Sequence, residues 1–184
     1  PGKTAESLER LRALGVEKVY VHADGPREPL SLEDWSCAET RATVLSYSED
    51  FELKVWFRDS NVGVKQAVIE AVSWFFGSEE CGIVLEDDLL PTDQFFEFVA
   101  KGLQDYQDDV SVSSVAGTTH SAGLGTKKSP AYFSRFHHIW GFGTWRREWR
   151  EFGRFMAEER YLRIGVVELE RAMPGFSRGF YEHW

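Results

Sequence analysis

Gly82-Ile83-Val84-Leu85-Glu86-Asp87-Asp88-Leu89-Leu90-Pro91 is the stretch on which the rest of the chain turns. Its apolar run, two of the first three residues β-branched, reads as a short buried strand. Three consecutive carboxylates follow it. Pro91 blocks further strand, and Thr92 is a suitable N-cap for an apolar helix carrying Phe95 and Phe96. Adjacent acids repel one another, and a divalent cation is the usual remedy because hard cations take carboxylate oxygens. The plainer reading is an acidic turn favoured by the positive end of the following helix. In an open α/β sheet the carboxyl ends of the strands are where ligands bind, and these acids lie at such an end.

Upstream, a helix capped by Thr4 is expected, with a stripe of Ala5, Leu8, Leu11 and Leu14, stopped by Gly15. Val19-Tyr20-Val21 is a strand ending at the turn Asp24-Gly25-Pro26-Arg27. A helix that precedes its strand implies a βαβ crossover whose first strand lies further upstream. Residues 28–41 read as loop with a short helix, and Thr43-Val44-Leu45 as a strand. Phe51, Leu53, Val55 and Phe57 alternate as an edge strand does. A helix follows with Val64, Val68, Ala71, Val72 and Phe75 on its buried stripe, ended by Gly77.

Downstream, residues 93–106 form a helix with Phe95, Phe96, Val99, Leu103 and Tyr106 inward, and 110–116 a strand. Residues 121–130 read as a loop, Ala131 to Ser134 as a short strand, and the last thirty residues as helix up to Pro174. This alternation predicts an α/β sandwich with a mostly parallel sheet.

Composition narrows the function. With 184 residues the chain supports one α/β domain. A net charge of −9 disfavours nucleic acid as a partner. No apolar run approaches a membrane span, and no signal peptide is visible. Cys37 and Cys81 suit a reducing compartment, and a cytoplasmic location is expected. Both ends read as cut from a larger chain. Seven Trp and fourteen Phe exceed what a core of this size needs, so some are expected to line a cleft.

Three groups beside the acids carry candidate chemistry. Asp24 is a typical acceptor for a ribose hydroxyl or a base N–H, and Asp-Gly-Pro is also simply a common turn. Asn61, Gly63 and Lys65 stand where a loop becomes a helix, a place that receives phosphate or merely caps the helix. Trp140-Gly141-Phe142-Gly143-Thr144-Trp145-Arg146-Arg147-Glu148-Trp149 sets an indole beside two glycines, suited to a sugar face. Trp145 and Trp149, one helical turn apart, are expected on a buried helix face. His120, His137 and His138 match no metal-ligand spacing.

Together these stretches resemble glycosyltransferases of the GT-A fold. Glu86-Asp87-Asp88 followed by Phe95-Phe96 is similar to the Asp-x-Asp-type motif of the Golgi N-acetylglucosaminyltransferases that extend N-glycans. A little-characterised bacterial GT-A group is similar over about residues 1 to 150. It shares Asp24 to Arg27, Asn61 to Gly63, Trp74 to Phe76 ahead of the acids, and Trp140 to Arg147.

The resemblance implies a Rossmann-like three-layer sandwich with its first strand missing, and one domain over 1–184. Residues 1–117 would be its donor half and 118–184 its acceptor half. It implies that Asp88 holds Mn2+ or Mg2+, and that Asp24, Arg27, Asn61, Lys65, Glu86 and Asp87 bind a nucleotide sugar, a UDP-sugar first. Trp140, Gly141 and Phe142 would bind a glycan or other hydroxyl acceptor. Tyr181-Glu182-His183-Trp184 resembles the family's aromatic-acid-acid-Trp element, with Glu for Asp and His for the second acid, and makes Glu182 the catalytic base. A sugar nucleotidyltransferase and a non-catalytic sugar-binding domain are the alternatives.

Overall fold

A side-chain cap at Ser31 starts the helix that shapes the first third of the chain. The Ser31 hydroxyl accepts from the Asp34 N–H at 3.2 Å, and the Asp34 carboxylate accepts from the Leu30 N–H at 3.0 Å. The computed structural model describes residues 1–118, 131–135 and 137–157. In chain order the elements are α1 (Gly2–Ala13), β1 (Lys18–Ala23), α2 (Leu32–Leu45), β2 (Glu52–Phe57), α3 (Val64–Ser78), β3 (Cys81–Val84), α4 (Asp93–Asp105), β4 (Ser114–Ala116), β5 (Phe142–Trp145) and α5 (Arg146–Ala157). Residues 1–146 form one unit and 147–184 another, and only the start of the second, in α5, is described.

Helix α2 replaces the expected loop and the expected strand at Thr43-Val44-Leu45. Once the Ser31 cap starts it, Val44 falls on its inner face and is fully buried with Leu8, Val19 and Phe51. That crossover makes β1 and β2 a parallel pair in register Lys18↔Glu52 to Ala23↔Phe57. Strand β2 has β1 as its one strand partner among the described residues, the expected edge position.

The second sheet has the order β3-β5-β4 and is antiparallel at both pairings. The expectation of one mostly parallel sheet is therefore met only in part. Strand β5 lies between β3 and β4 and runs against both, so β3 and β4 point the same way. Val99 and Leu103 of α4 bury with Val112, Val115 and Trp145, and Phe95, Tyr106 and Ile83 pack on them.

Other boundaries also move. Helix α1 starts at Gly2 and Thr4 is buried inside it, so Thr4 caps nothing; Gly15, at φ +72°, ends the helix as expected. Helix α3 runs through Gly77 to Ser78 and buries Ala67, Val72 and Phe76, leaving Val64 80% exposed. Strand β4 begins only at Ser114, because Asp109 accepts from the N–H and hydroxyl of Ser111 and turns the chain first. Residues 131–135 form no strand. Trp145 ends β5 instead of lying on a helix with Trp149. Thr92 caps α4 as expected, its hydroxyl accepting from the Phe95 N–H at 3.1 Å.

Candidate functional site

Several candidates lie just past strand ends: Asp24 after β1, Glu86 to Asp88 after β3, and Trp140 beside the end of β4. Pairing in the second sheet matches Val84 with Phe142 and Ala116 with Phe142. Past β4 the pairing continues to Gly117 against Gly141 and Thr118 against Trp140, while β3 ends at Val84 and the acids follow at the same end of the sheet. Two contacts hold this edge together. The Thr118 hydroxyl donates to the Trp140 carbonyl at 3.2 Å, and the Gly117 N–H donates to the Gly141 carbonyl at 3.4 Å. Gly141 has φ +76°, and a Cβ there would stand 2.9 Å from the Phe95 ring and 3.3 Å from Leu85. Only glycine lets the chain enter β5 this close to the end of β3. Trp140, just before it, is 50% exposed.

The acids are presented by α1, a contribution the sequence reading missed. Ser7 donates to the carbonyls of Asp87 at 2.9 Å and Leu89 at 3.3 Å. Arg10 donates to the Pro91 carbonyl at 2.6 Å and to the Asp93 carboxylate at 3.2 Å. Lys3 lies 3.9 Å from the Asp88 carboxylate. Positions 3, 7 and 10 form one stripe on a helix, so a polar stripe beside the apolar one was the available signal. The carboxylates of Glu86, Asp87 and Asp88 are all exposed. Among the described residues no three His, Cys, Asp or Glu side chains stand together as a metal site. Any ion here would draw one or two ligands from the protein and the rest from phosphate oxygens, a common arrangement for Mg2+.

Asp24 and Asn61 come together, and their bonds run inward. The Asp24 carboxylate accepts from the N–H groups of Gly25 at 2.9 Å, Val62 at 3.1 Å and Gly63 at 3.2 Å. Asn61 donates its side-chain N–H to the Gly25 carbonyl at 3.2 Å and accepts from the Gly63 N–H at 3.1 Å. A Cβ on Gly25 would overlap the Ser60 backbone, so the turn and the loop cross in contact. The amides just ahead of α3 thus already hold a carboxylate. That is the structural alternative for both motifs, in which Asp24 holds the loop ahead of α3.

Asp24→Ala is accordingly expected to lower unfolding free energy by about 1.5–3 kcal/mol, because the Val62 and Gly63 amides lose a charged acceptor. Urea denaturation measures it. An unchanged midpoint with UDP affinity lost would give Asp24 the nucleotide instead.

The remaining candidates scatter. Arg27 is exposed and pairs with Glu33 at 3.2 Å. Lys65 lines a shallow cavity of about 570 Å3 with Val62, Gly63, Val64, Gln66, Ile69 and Glu70. Phe142 lies within β5, its ring edge-on to His137 at 4.4 Å. Burial, reinforced by His138, lowers the pKa of His137, which meets the Ser114 hydroxyl at 2.8 Å. Glu182, His120 and the segments 121–130 and 158–184 lie outside the described residues.

Comparison with models of known families, with characterised proteins and with solved structures finds no match to this chain. Function therefore rests on the geometry of this edge and on the motifs. Among the described residues no helix is long and apolar enough to cross a membrane.

Proposed function

We propose that this chain is a GT-A-type glycosyltransferase domain, moving a sugar from a nucleoside-diphosphate donor, a UDP-sugar first, to an acceptor hydroxyl. One observation carries the reading. The exposed acids after β3 and the half-exposed Trp140 before β5 share one strand-end edge, brought there by the register Val84↔Phe142. Acids at that edge suit a cation-bound diphosphate, and the indole suits the apolar face of a sugar.

In the reaction the bond from the anomeric carbon to the diphosphate oxygen breaks. The acceptor oxygen takes that carbon and loses its proton to a base, for which Glu182 is the candidate. A divalent ion, when bound, neutralises charge on the leaving diphosphate. Asp88 is its proposed ligand, with Glu86 and Asp87 beside it. Ser7 and Arg10 fix the backbone that presents these acids, and Asp24 with Asn61 shapes the neighbouring loop.

A thermal-shift series with UDP and UDP-sugars, with and without manganese, tests the reading. Ligand at 100 times its dissociation constant adds about 2.7 kcal/mol of stability. The expected result is a rise in Tm that needs nucleotide and manganese together. A rise that ignores manganese, or no rise with any nucleotide, removes the proposal.

Trp140→Ala separates the acceptor side. Covering one sugar face on the indole removes roughly 100 Å2 of apolar surface from water, worth about 2–3 kcal/mol. The variant is expected to slow transfer with Tm nearly unchanged, because the side chain is already half in solvent. A large drop in Tm would make Trp140 a packing residue.

A further inference from the structure

Two indoles meet in a notch between β2 and α3, built from none of the strand-end residues described above. Trp56 of β2 and Trp74 of α3 stand with ring centroids 5.8 Å apart and ring planes at 68°. Both are part-buried, and with Val55, Glu70 and Ser73 they line an open cavity of about 580 Å3. Glu70, Ser73 and Trp74 fall three and four residues apart on α3, so one helix face supplies all three.

The aromatic walls are held from outside the cavity. Tyr20 meets Trp74 edge-on at 5.1 Å, and His22 meets Trp56 edge-on at 5.0 Å. Arg58 lies over Trp56, 4.5 Å from its ring centroid, and its Nε–H donates to His22 Nε2 at 3.1 Å. Tyr20, His22 and Arg58 do not line the cavity, so what turns into it from this side is bare indole. Walls already ordered in this way lose little conformational freedom on binding.

The charges narrow the ligand. Glu70 is the one ionisable side chain lining the cavity. Arg58 pairs with one of its oxygens, and Gln66 Nε2 donates to the other at 2.8 Å. With Glu70 neutralised by Arg58, the notch favours neither a cation nor an anion. A carboxylate has about four lone-pair sites, so Glu70 retains capacity for hydroxyl donors. Ser73 spends its own hydrogen on the Ile69 carbonyl at 2.6 Å, and therefore meets a ligand through its oxygen. A ligand that is neutral, rich in O–H donors and apolar on one face is a pyranose. A peptide strand added to β2 fits less well, because β2 carries Lys54, paired with Glu52 at 3.5 Å, and lysine on an edge strand blocks such pairing.

We infer that this notch is a carbohydrate-binding site that takes neutral pyranose units of an oligosaccharide without metal or nucleotide. The two indoles cover the apolar sugar faces, and Glu70 and Ser73 accept from the hydroxyls. The site shares no residue with the acids or Trp140, so it and the transferase reading can each fail alone.

Saturation-transfer NMR and isothermal titration calorimetry test it, with maltotriose, cellotriose and chitotriose as probes, in EDTA and without nucleotide. At least one trisaccharide is expected to bind, while choline, trigalacturonate and a valine-rich hexapeptide do not. Ser73→Arg, at an exposed helix position, fills the notch and is expected to abolish binding with Tm unchanged. Trp74→Ala removes roughly 100 Å2 of apolar contact and is expected to weaken binding about 30-fold or more. Trp74 also packs on Tyr20, so if Trp74→Ala does not fold, Ser73→Arg decides. No trisaccharide bound at millimolar concentration, binding undiminished in Ser73→Arg, or choline, trigalacturonate or the peptide bound in place of sugar overturns the inference.

Discussion

Trp145→Ala is expected to lower unfolding free energy by about 3–5 kcal/mol, the usual cost of truncating a large aromatic in a core. The indole is 4% exposed, packed among Val99, Leu103, Val112 and Val115 where α4 covers β4 and β5. Its Nε1–H donates to the Leu103 carbonyl at 3.2 Å, so truncation opens a cavity and also strands a helix carbonyl. Against a total of about 5–15 kcal/mol for a domain, this is close to unfolding. Trp145→Phe keeps most of the apolar area, loses only the donor, and is expected to cost about 1–3 kcal/mol. Urea denaturation followed by far-UV circular dichroism measures both. A Trp145→Ala midpoint within error of the parent would show that this indole is not what anchors α4 to the sheet.

Asp88→Asn should act in the opposite way, leaving stability alone and removing function. Its one ion pair among the described residues, with Lys3 at 3.9 Å, joins side chains that are 73% and 51% exposed. Such a pair is worth about 0–1 kcal/mol, and the change also relieves repulsion within Glu86-Asp87-Asp88. If Asp88 is the metal ligand, manganese-dependent affinity for UDP falls by at least about 100-fold while Tm without ligand holds or rises. Isothermal titration calorimetry with UDP, with and without manganese, reads this directly. Lys3→Ala is the control, since removing the cation beside Asp88 should leave metal-dependent affinity equal or higher. Unchanged affinity in Asp88→Asn would end the metal assignment without touching the fold.

The sequence was a good guide wherever local chemistry sufficed. Gly15 stops a helix because its positive φ suits glycine, and Thr92 starts one because its hydroxyl meets the Phe95 amide. The apolar residues of β1, β2 and β3 marked strands, and Val99 with Leu103 marked the inner face of α4. The errors have physical causes. Thr43-Val44-Leu45 has strand composition but forms the last turn of the helix that the Ser31 cap starts, and tertiary burial of Val44 overrides its propensity. The Trp145 spacing suited a helix, yet β3 and β4 each needed a partner, and Phe142 to Trp145 is the segment that supplies it.

For the site, residue types were legible and their company was not. Three acids after a strand and an indole between glycines are visible in one dimension. That Glu86 and Trp140 share an edge follows only from the antiparallel register of β3 and β5, which no local signal specifies. Asp24 and Asn61 read as two ligand-binding motifs and form one clasp, because Gly25 lets the turn cross Ser60 in contact. The sequence by itself determined which segments are apolar, where most helices stop, and which side chains carry charge and aromatic surface, since these depend on neighbours along the chain. Tertiary structure alone decided the strand order β3-β5-β4 and the α1 contacts that hold the acidic loop. Those depend on pairings between residues 26 to 82 positions apart, where packing and backbone hydrogen bonding choose among partners that the local sequence leaves equivalent.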